Sequence, residues 1–325
     1  MIIYEFKEGQ GLGNQLWCYF SLRSIAKHLD ISFFHSNFES FKGKKLMTLN
    51  SKEYDDDVSR LKVLRETEFY DKALNYYASN FDLNLINFLK EYPEDLFLVE
   101  GLFQSEKYFF EYDILEFIDL RINVEYKKVN LNWDNVCILN IRGGEYKRHK
   151  KFNLSKAYWL ECVEHIKKTS NVKDFKIITD DPIYTRLLLP EFETLSLSLE
   201  ECFMGLFRAK FLIVSNSTFS FFPIKLDKTP KKIILAPAYF SRPYNKENRW
   251  CSPANIYKNW SYYDIKQKRI LLDCEVHDIL RNTLEYYFYN NNLSINKVLK
   301  SPSSLSRVVK NILRPILKKL IPQTF

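Results

Sequence analysis

Short apolar runs and longer stretches with helical spacing alternate along most of the chain. Residues 1–6 (MIIYEF) have strand character, a glycine-bearing loop follows at 9–13, and a helix is expected from about Asn14 to Leu29. ISFF at 31–34 reads as the next strand, so the chain opens as a βαβ unit. From residue 131 the alternation is regular. VCILNI (136–141) is a strand, and Ser155–Lys168 a helix with Ala157, Leu160, Val163 and Ile166 on one face. FKIIT (175–179) is a strand, Leu199–Ala209 a helix, FLIV (211–214) a strand, and after a short helix KIILA (232–236) is another. Strands alternating with helices imply a parallel sheet with right-handed crossovers. Residues 40–130 are less regular. They carry the acidic run Asp55–Asp57, helical segments rich in Tyr and Phe around 66–91, and a short strand near Phe97–Val99. The pattern predicts a mostly helical elaboration of the first domain there.

Three of the later strands run directly into polar or glycine-containing turns: RGGEY after 136–141, TDDP after 175–179 and SNST after 211–214. In a parallel sheet these turns share the carboxyl edge, where open α/β sheets bind ligands. The chain holds only 8 glycines, and five of them cluster, as Gly9, Gly11 and Gly13 and as Gly143 and Gly144. Glycine is cheap in turns and costly elsewhere. Arg142 presents a planar fork of donors that suits a phosphate, and the adjacent glycines would let backbone N–H groups approach it. Ser217 and Thr218 open a helix as capping residues do, and a helix start also receives anions. Asp180 and Asp181 suit a metal, a ribose or base, or the cap of a helix beginning at Pro182. Asp55–Asp57 follows no strand and reads as a solvated acidic loop. The first loop, GQGLGNQ, lacks the spacing of a dinucleotide fingerprint and the Gly-Lys-Ser/Thr of a P-loop. Alone it marks a tight turn, with Asn14 and Gln15 as candidates for polar contact with a ligand or the second domain. The five histidines form no metal spacing: His165 on its patterned helix reads as structural, and His149 belongs to a solvated basic loop.

Length and charge narrow the classes further. A chain of 325 residues is long for one core, and two domains are expected. A share of 46% hydrophobic and 27% charged residues is globular composition. Six cysteines lie scattered with no CxxC pair, which predicts free buried thiols in a reducing compartment. The net charge of +8 is concentrated in residues 295–325, whose seven cations are accompanied by no acid. The rest is nearly neutral, which disfavours a nucleic-acid footprint spread over a folded face. In this tail Leu305, Val308, Val309, Ile312, Leu313, Ile316 and Leu317 form one helical face, opposite Arg307, Lys310, Arg314 and Lys318. A basic amphipathic helix of this kind is suited to an anionic membrane surface, and equally to packing on the body. No signal peptide is expected, and no stretch of 18 apolar residues would span a membrane.

Four stretches together resemble glycosyltransferase family 11, the inverting α-1,2-fucosyltransferases. GQGLGNQLWCYFSLRSIA is similar to that family's opening G-x-L-G-N-Q motif, NIRGGEY to its HxRRGDY motif, ITDDP to its Asp-Asp motif and VSNSTFSFF to its SNSTFSWW motif. The order and spacing agree over roughly residues 1–260. The resemblance implies an α/β, GT-B-like fold, two Rossmann-like domains facing a cleft. The expected organisation is an acceptor-side domain over 1–130, a nucleotide-sugar-binding domain with a parallel sheet over 131–294, and the basic tail over 295–325. By position, Arg142 would hold the diphosphate of GDP-fucose, Ser217 and Thr218 would support the phosphates, and Asp180 or Asp181 would lie near the nucleoside. Gly11, Gly13 and Asn14 would close over the donor from the first domain. Arg142 and Glu145 are the expected catalytic residues, with Glu145 orienting Arg142 or acting as base. No metal or other cofactor is implied. The partners would be a nucleotide-sugar donor, a glycan acceptor in surface polysaccharide or glycolipid synthesis, and an anionic membrane met through 305–320. The expected location is the cytoplasm, with peripheral attachment to the inner face of the membrane. The chain departs from the pattern at Asn140 (His in the family), Gly143 (Arg), Glu145 (Asp) and the Phe221–Phe222 pair (Trp–Trp). The alternatives are a related GT-B transferase using another nucleotide sugar, and a non-catalytic nucleotide- or glycan-binding homologue.

Overall fold

The structure is a computed structural model that describes residues 1–66, 81–121, 132–148, 152–228, 232–239, 256–265 and 267–279. In chain order its elements are β1 (Ile2–Glu5), α1 (Leu12–Leu29), β2 (Phe33–Ser36), β3 (Met47–Leu49), β4 (Lys52–Glu53), β5 (Lys62–Arg65), α2 (Leu83–Glu91), β6 (Phe97–Glu100) and β7 (Ile118–Leu120). They continue with β8 (Val136–Ile141), α3 (Lys156–Thr169), β9 (Asp174–Thr179), α4 (Pro182–Leu188), β10 (Glu193–Thr194), α5 (Leu199–Arg208), β11 (Phe211–Val214), α6 (Phe221–Leu226), β12 (Ile233–Pro237), β13 (Ser261–Asp264) and β14 (Arg269–Ile270). Short 3-10 turns join several of them.

Two parallel sheets dominate. The second has the order β10-β9-β8-β11-β12-β13-β14. Its first six strands, counted along the chain, stand 3-2-1-4-5-6, the Rossmann arrangement, and β14 closes one edge antiparallel to β13. All six residues of β8 are buried, as a central strand covered on both faces requires. The first sheet, β4-β2-β1-β6-β5, pairs in parallel throughout. The architecture is therefore α/β and GT-B-like, with two Rossmann-like parallel sheets. Strand order reverses between β8 and β11 in one sheet and between β1 and β6 in the other. Each reversal opens a crevice at the carboxyl edge, the place such sheets bind ligands.

The mostly helical reading of 40–130 is corrected. The described part of that span contains β3, β4, β5, β6 and β7, with α2 as its one α-helix. The strands are short and partly solvated: β4 is two exposed residues, and three of the four positions of β5 are exposed. Edge strands of this kind carry no apolar run to reveal them. The Tyr-rich stretch 67–80, His149, Cys251 and the basic tail lie outside the described residues. Cys18, Cys137, Cys162 and Cys202 are buried free thiols as expected, whereas Cys274 is exposed.

Helix α1 is buried almost all round from Leu12 to Ala26, because residues of both sheets pack against it in one continuous core. Trp17 stacks on Phe221 at 4.4 Å and on Phe109 at 5.3 Å, and meets Phe222 edge-on at 5.1 Å. Phe221 and Phe222 are thus core packing for α1. At the start of the helix the backbone of Gly13 runs against the turn after β11. A Cβ on Gly13 would stand 2.7 Å from Thr218 C, Thr218 O and Phe219 N, all backbone atoms that no side-chain rotation can move aside. Gly13→Ala should lower unfolding free energy by about 1–3 kcal/mol. Gly9→Ala, with nothing within 4 Å of the added carbon, should change it by no more than about 0.5 kcal/mol, and Gly11→Ala, in equally open space but at the N-cap of α1, should lower it by no more than about 1 kcal/mol. Urea unfolding of the three variants checks this ranking.

Candidate active site

The carboxyl edge of the second sheet gathers the turns that follow β8, β9 and β11. Arg142 leaves β8 and pairs through Nη1 with Asp180 Oδ2 at 2.6 Å, and through Nη2 with Glu145 Oε1 at 3.4 Å. The other oxygen of Asp180 accepts the backbone N–H of Gly143 at 2.8 Å. One carboxylate therefore clamps both the guanidinium and the turn that carries it. Asp180, expected near a nucleoside, is the main partner of Arg142, and the longer Glu145 contact is secondary. The Gly143 N–H, expected to approach a phosphate, is taken by the same carboxylate. The reason is proximity. A Cβ on Gly143 would lie 2.5 Å from Asp181 Cβ, and one on Gly144 2.5 Å from Asp180 Oδ2, so the two turns touch through glycine backbone. Gly144 also has φ +33°, a conformation that L side chains rarely adopt.

Asp181 takes the capping role left open in the sequence. Its Oδ1 accepts from Tyr184 N at 3.1 Å at the start of α4, with Pro182 in the first turn. Lys147 forms an ion pair with it, and that hydrogen bond holds the Asp181 carboxyl below its ordinary value. Arg142 also lies over the Tyr146 ring at 5.7 Å, and the Tyr146 hydroxyl reaches Asn216 O at 3.5 Å. Tyr146 thereby spans the β8/β11 crevice. Asn140, at the position of the family's histidine, is buried in β8, and its Nδ2 donates to Ile178 O at 3.4 Å.

On the far side of the crevice Ser217 caps a 3-10 turn, accepting from Phe219 N at 3.3 Å. Thr218 Oγ1 donates to Asn14 Oδ1 at 2.8 Å, and Gln104 Nε2 donates to the same oxygen at 2.8 Å. Asn14 thus ties the first sheet to the second at the mouth of the site. Helix α1 starts at Leu12, so Gly13 and Asn14 lie in its first turn, and Gly11 is its cap residue with no side-chain bond. Gln15 is fully buried. It donates to Lys7 O and Ser40 O and accepts from Lys42 N, which makes it a brace for the loops beside α1.

Two members of this arrangement escaped the sequence reading. Gln104 follows β6 in the polar turn GLFQS, a strand-end signal of the same kind as the other three. Glu66 follows β5, whose KVLR pattern gives no apolar run. Its carboxylate is buried and accepts from Tyr108 Oη at 2.7 Å and from the N–H groups of Leu102 and Phe103 at 2.8 Å each. Phe103 has φ 49°, so these bonds hold a strained turn that delivers Gln104 to Asn14. Among the described residues no group of three or more His, Cys, Asp or Glu side chains is placed to hold a metal ion, and no helix is long and apolar enough to cross a membrane.

No protein-family model matches the chain, and no curated protein matches it. Solved structures do. POFUT1 in complex with GDP-fucose matches 72% of this chain and 96% of its own, at 12% identity and a TM-score of 0.47. The α-1,6-fucosyltransferase NodZ soaked with GDP-fucose matches 69% and 92%, at 14% identity and 0.40. The fucosyltransferase NodZ from Bradyrhizobium matches 67% and 90%, at 13% and 0.40.

Burial pushes the Glu66 carboxyl up to about 7, against the pull of its three donors. Folding therefore takes up a proton between the ordinary value of 4.5 and about 7. The contribution favouring the fold is complete below the lower value and is lost as pH rises through the upper one. Urea unfolding measured from pH 4.5 to 8 should show this decline, up to about 3 kcal/mol. Glu66→Gln should flatten the profile while lowering stability at every pH, since an amide cannot accept from all three donors.

Proposed function

We propose that the protein is an inverting glycosyltransferase that moves fucose from GDP-fucose to a glycan hydroxyl, a divergent relative of the α-1,2-fucosyltransferases of family 11. The observation that carries the reading is the position of Arg142. It leaves the central strand β8 at the reversal point of a Rossmann-ordered sheet, across the crevice from the turn that Thr218 and Asn14 join to the opposite sheet. That is where a nucleotide's diphosphate meets an open α/β sheet.

Transfer with inversion breaks the bond from the sugar carbon to the diphosphate as the acceptor oxygen bonds from the opposite face. Negative charge grows on the departing diphosphate, and a preorganised guanidinium there stabilises the transition state more than the ground state. The contacts to Asp180 and Glu145 use two of the five N–H donors of Arg142. The remaining donors are the ones this reading assigns to phosphate oxygens, with Ser217 and Thr218 beside them. Glu145, with a side chain 67% exposed, is the carboxylate assigned to orient Arg142 or to receive the acceptor proton. The role needs no metal, since arginine and backbone dipoles neutralise the leaving group. The basic amphipathic segment 305–320 is assigned to an anionic membrane surface at the cytoplasmic face.

One observation favours a second reading, a related transferase with a different nucleotide sugar. Gly143 replaces the second arginine of the resembled motif and gives its N–H to Asp180, so this chain grips a diphosphate with one cation fewer in that turn.

Turnover of GDP-fucose by Arg142→Ala should fall on the order of 10²-fold or more; near-normal turnover would sink the assignment. Thermal shift with GDP, UDP, CMP and their sugars separates the readings. Stabilisation by guanine nucleotides alone supports fucose transfer, another nucleotide supports the second reading, and no response to any removes both.

A further inference from the structure

We infer that Gln104 is a positioning residue for the donor site: it holds the amide oxygen of Asn14, so that the N–H end is what the first sheet offers a nucleoside diphosphate. The inference rests on the donor reading above and adds the residue that decides which end of Asn14 meets the donor. Asn14 Oδ1 accepts from Gln104 Nε2 and from Thr218 Oγ1, each at 2.8 Å. A hydroxyl can donate or accept, so Thr218 is compatible with either end of an amide. Gln104 presents its Nε2, and two N–H ends cannot face one another, so Gln104 sets the orientation. Among the described residues nothing accepts from Asn14 Nδ2. Its two hydrogens stand in the first turn of a helix whose leading N–H groups have no side-chain cap.

The bond to Asn14 is also what Gln104 does in the fold. The residue is 4% exposed, and a buried amide costs free energy unless it is bonded. Among the described residues its side chain bonds to Asn14 alone. An apolar side chain of the same length would fill the space without that cost.

A second observation concerns the segment that carries Gln104. Of the non-glycine residues with positive φ among the described ones, Phe103, Phe110 and Glu111 all lie between 103 and 111. Bulky residues adopt such backbone only where their surroundings over-determine it. Here both sheets do so. On the side of the first sheet, Glu66 accepts from the N–H groups of Leu102 and Phe103. On the side of the second, Glu106 accepts from Lys225 Nζ at 2.7 Å and from Lys258 N at 2.8 Å. Lys258 Nζ also pairs with Glu111 at 2.7 Å. Phe109 stacks on Trp17 of α1, the helix whose first turn holds Asn14. The Gln104 amide therefore reaches Asn14 from a support that shares no residue with the turns after β8, β9 and β11.

The test is a double-variant cycle on the full chain, read by isothermal titration with GDP and by saturation-transfer NMR with guanosine, which lacks the phosphates. Gln104→Met keeps the length of the side chain and removes its polar end. It should weaken GDP about tenfold and leave guanosine within about twofold. Asn14→Asp keeps the oxygen that Gln104 and Thr218 bond, removes the N–H end, and should weaken GDP at least as much. Because Gln104 acts through that end, adding Gln104→Met to Asn14→Asp should weaken GDP no further. Gln104→Glu, with the same shape and only acceptors, should also weaken GDP, since it draws the N–H end of Asn14 to itself. Unchanged GDP affinity in either folded Gln104 variant, equal loss of GDP and guanosine, or additive losses in the double variant would overturn the inference. Failure of the unmodified protein to bind GDP would sink the donor reading, and the inference with it, before any variant is compared.

Discussion

The close approach of α1 to the turn after β11 is the constraint on which the rest depends. Gly13 lies against the Thr218–Phe219 backbone, and one turn further on Trp17 enters the aromatic stack of Phe109, Phe221, Phe222 and Tyr257. The two contacts have different jobs. A buried aromatic side chain removes about 150–250 Å² from water, worth about 4–6 kcal/mol at roughly 25 cal/mol per Å². The Thr218–Asn14 hydrogen bond is worth about 1 kcal/mol net. Packing supplies the energy that joins the sheets, and the hydrogen bond selects the register. Only a glycine at 13 lets both form together. The Phe–Phe pair at 221–222, which stands where the resembled family has two tryptophans, belongs to this packing.

The same constraint explains what could be read from the sequence. Buried parallel strands such as β8, β9, β11 and β12 are covered on both faces and appear as apolar runs, so the second sheet and its strand-end turns were legible. Arg142, Asp180, Asp181, Ser217 and Thr218 could be placed at strand ends because each follows such a run. The first sheet was half legible. β1, α1, β2 and β6 have apolar signatures, whereas β4 and β5 are exposed edge pieces that resemble loops. The two residues β10 and β14 each contribute are too few for any period.

Pairings were less legible than positions. Asp180 and Asp181 are neighbours in sequence with opposite duties, one clamping Arg142 and the other capping α4. Nothing in a dipeptide separates them; the pleat and the contact with Gly143 do. Glu66 and Gln104 are likewise 38 residues apart and come together only because β5 and β6 are paired. The buried acid then holds the turn that carries the amide. A strained Phe103 is tolerated because three donors on one carboxylate over-determine its backbone.

On the proposed donor reading, electrostatics sets the terms on which a diphosphate would enter. In the ion pairs of the turn after β8, two cations, Arg142 and Lys147, meet three carboxylates, Glu145, Asp180 and Asp181. Lys147 is committed to Asp181, which leaves Arg142 shared between two acids. A diphosphate bound as proposed would gain most if Asp180 kept only one edge of the guanidinium, because a fork can serve a carboxylate on one side and a phosphate on another. The positive end of α1 adds to this balance. Its first turn carries no acidic residue, and its cap, Gly11, offers no side-chain acceptor for the N–H groups there. With Gly143 where the resembled motif has a second arginine, that reading places more weight on the helix end held against Thr218. That makes the fit of Gly13 a condition of the charge balance as well as of the packing.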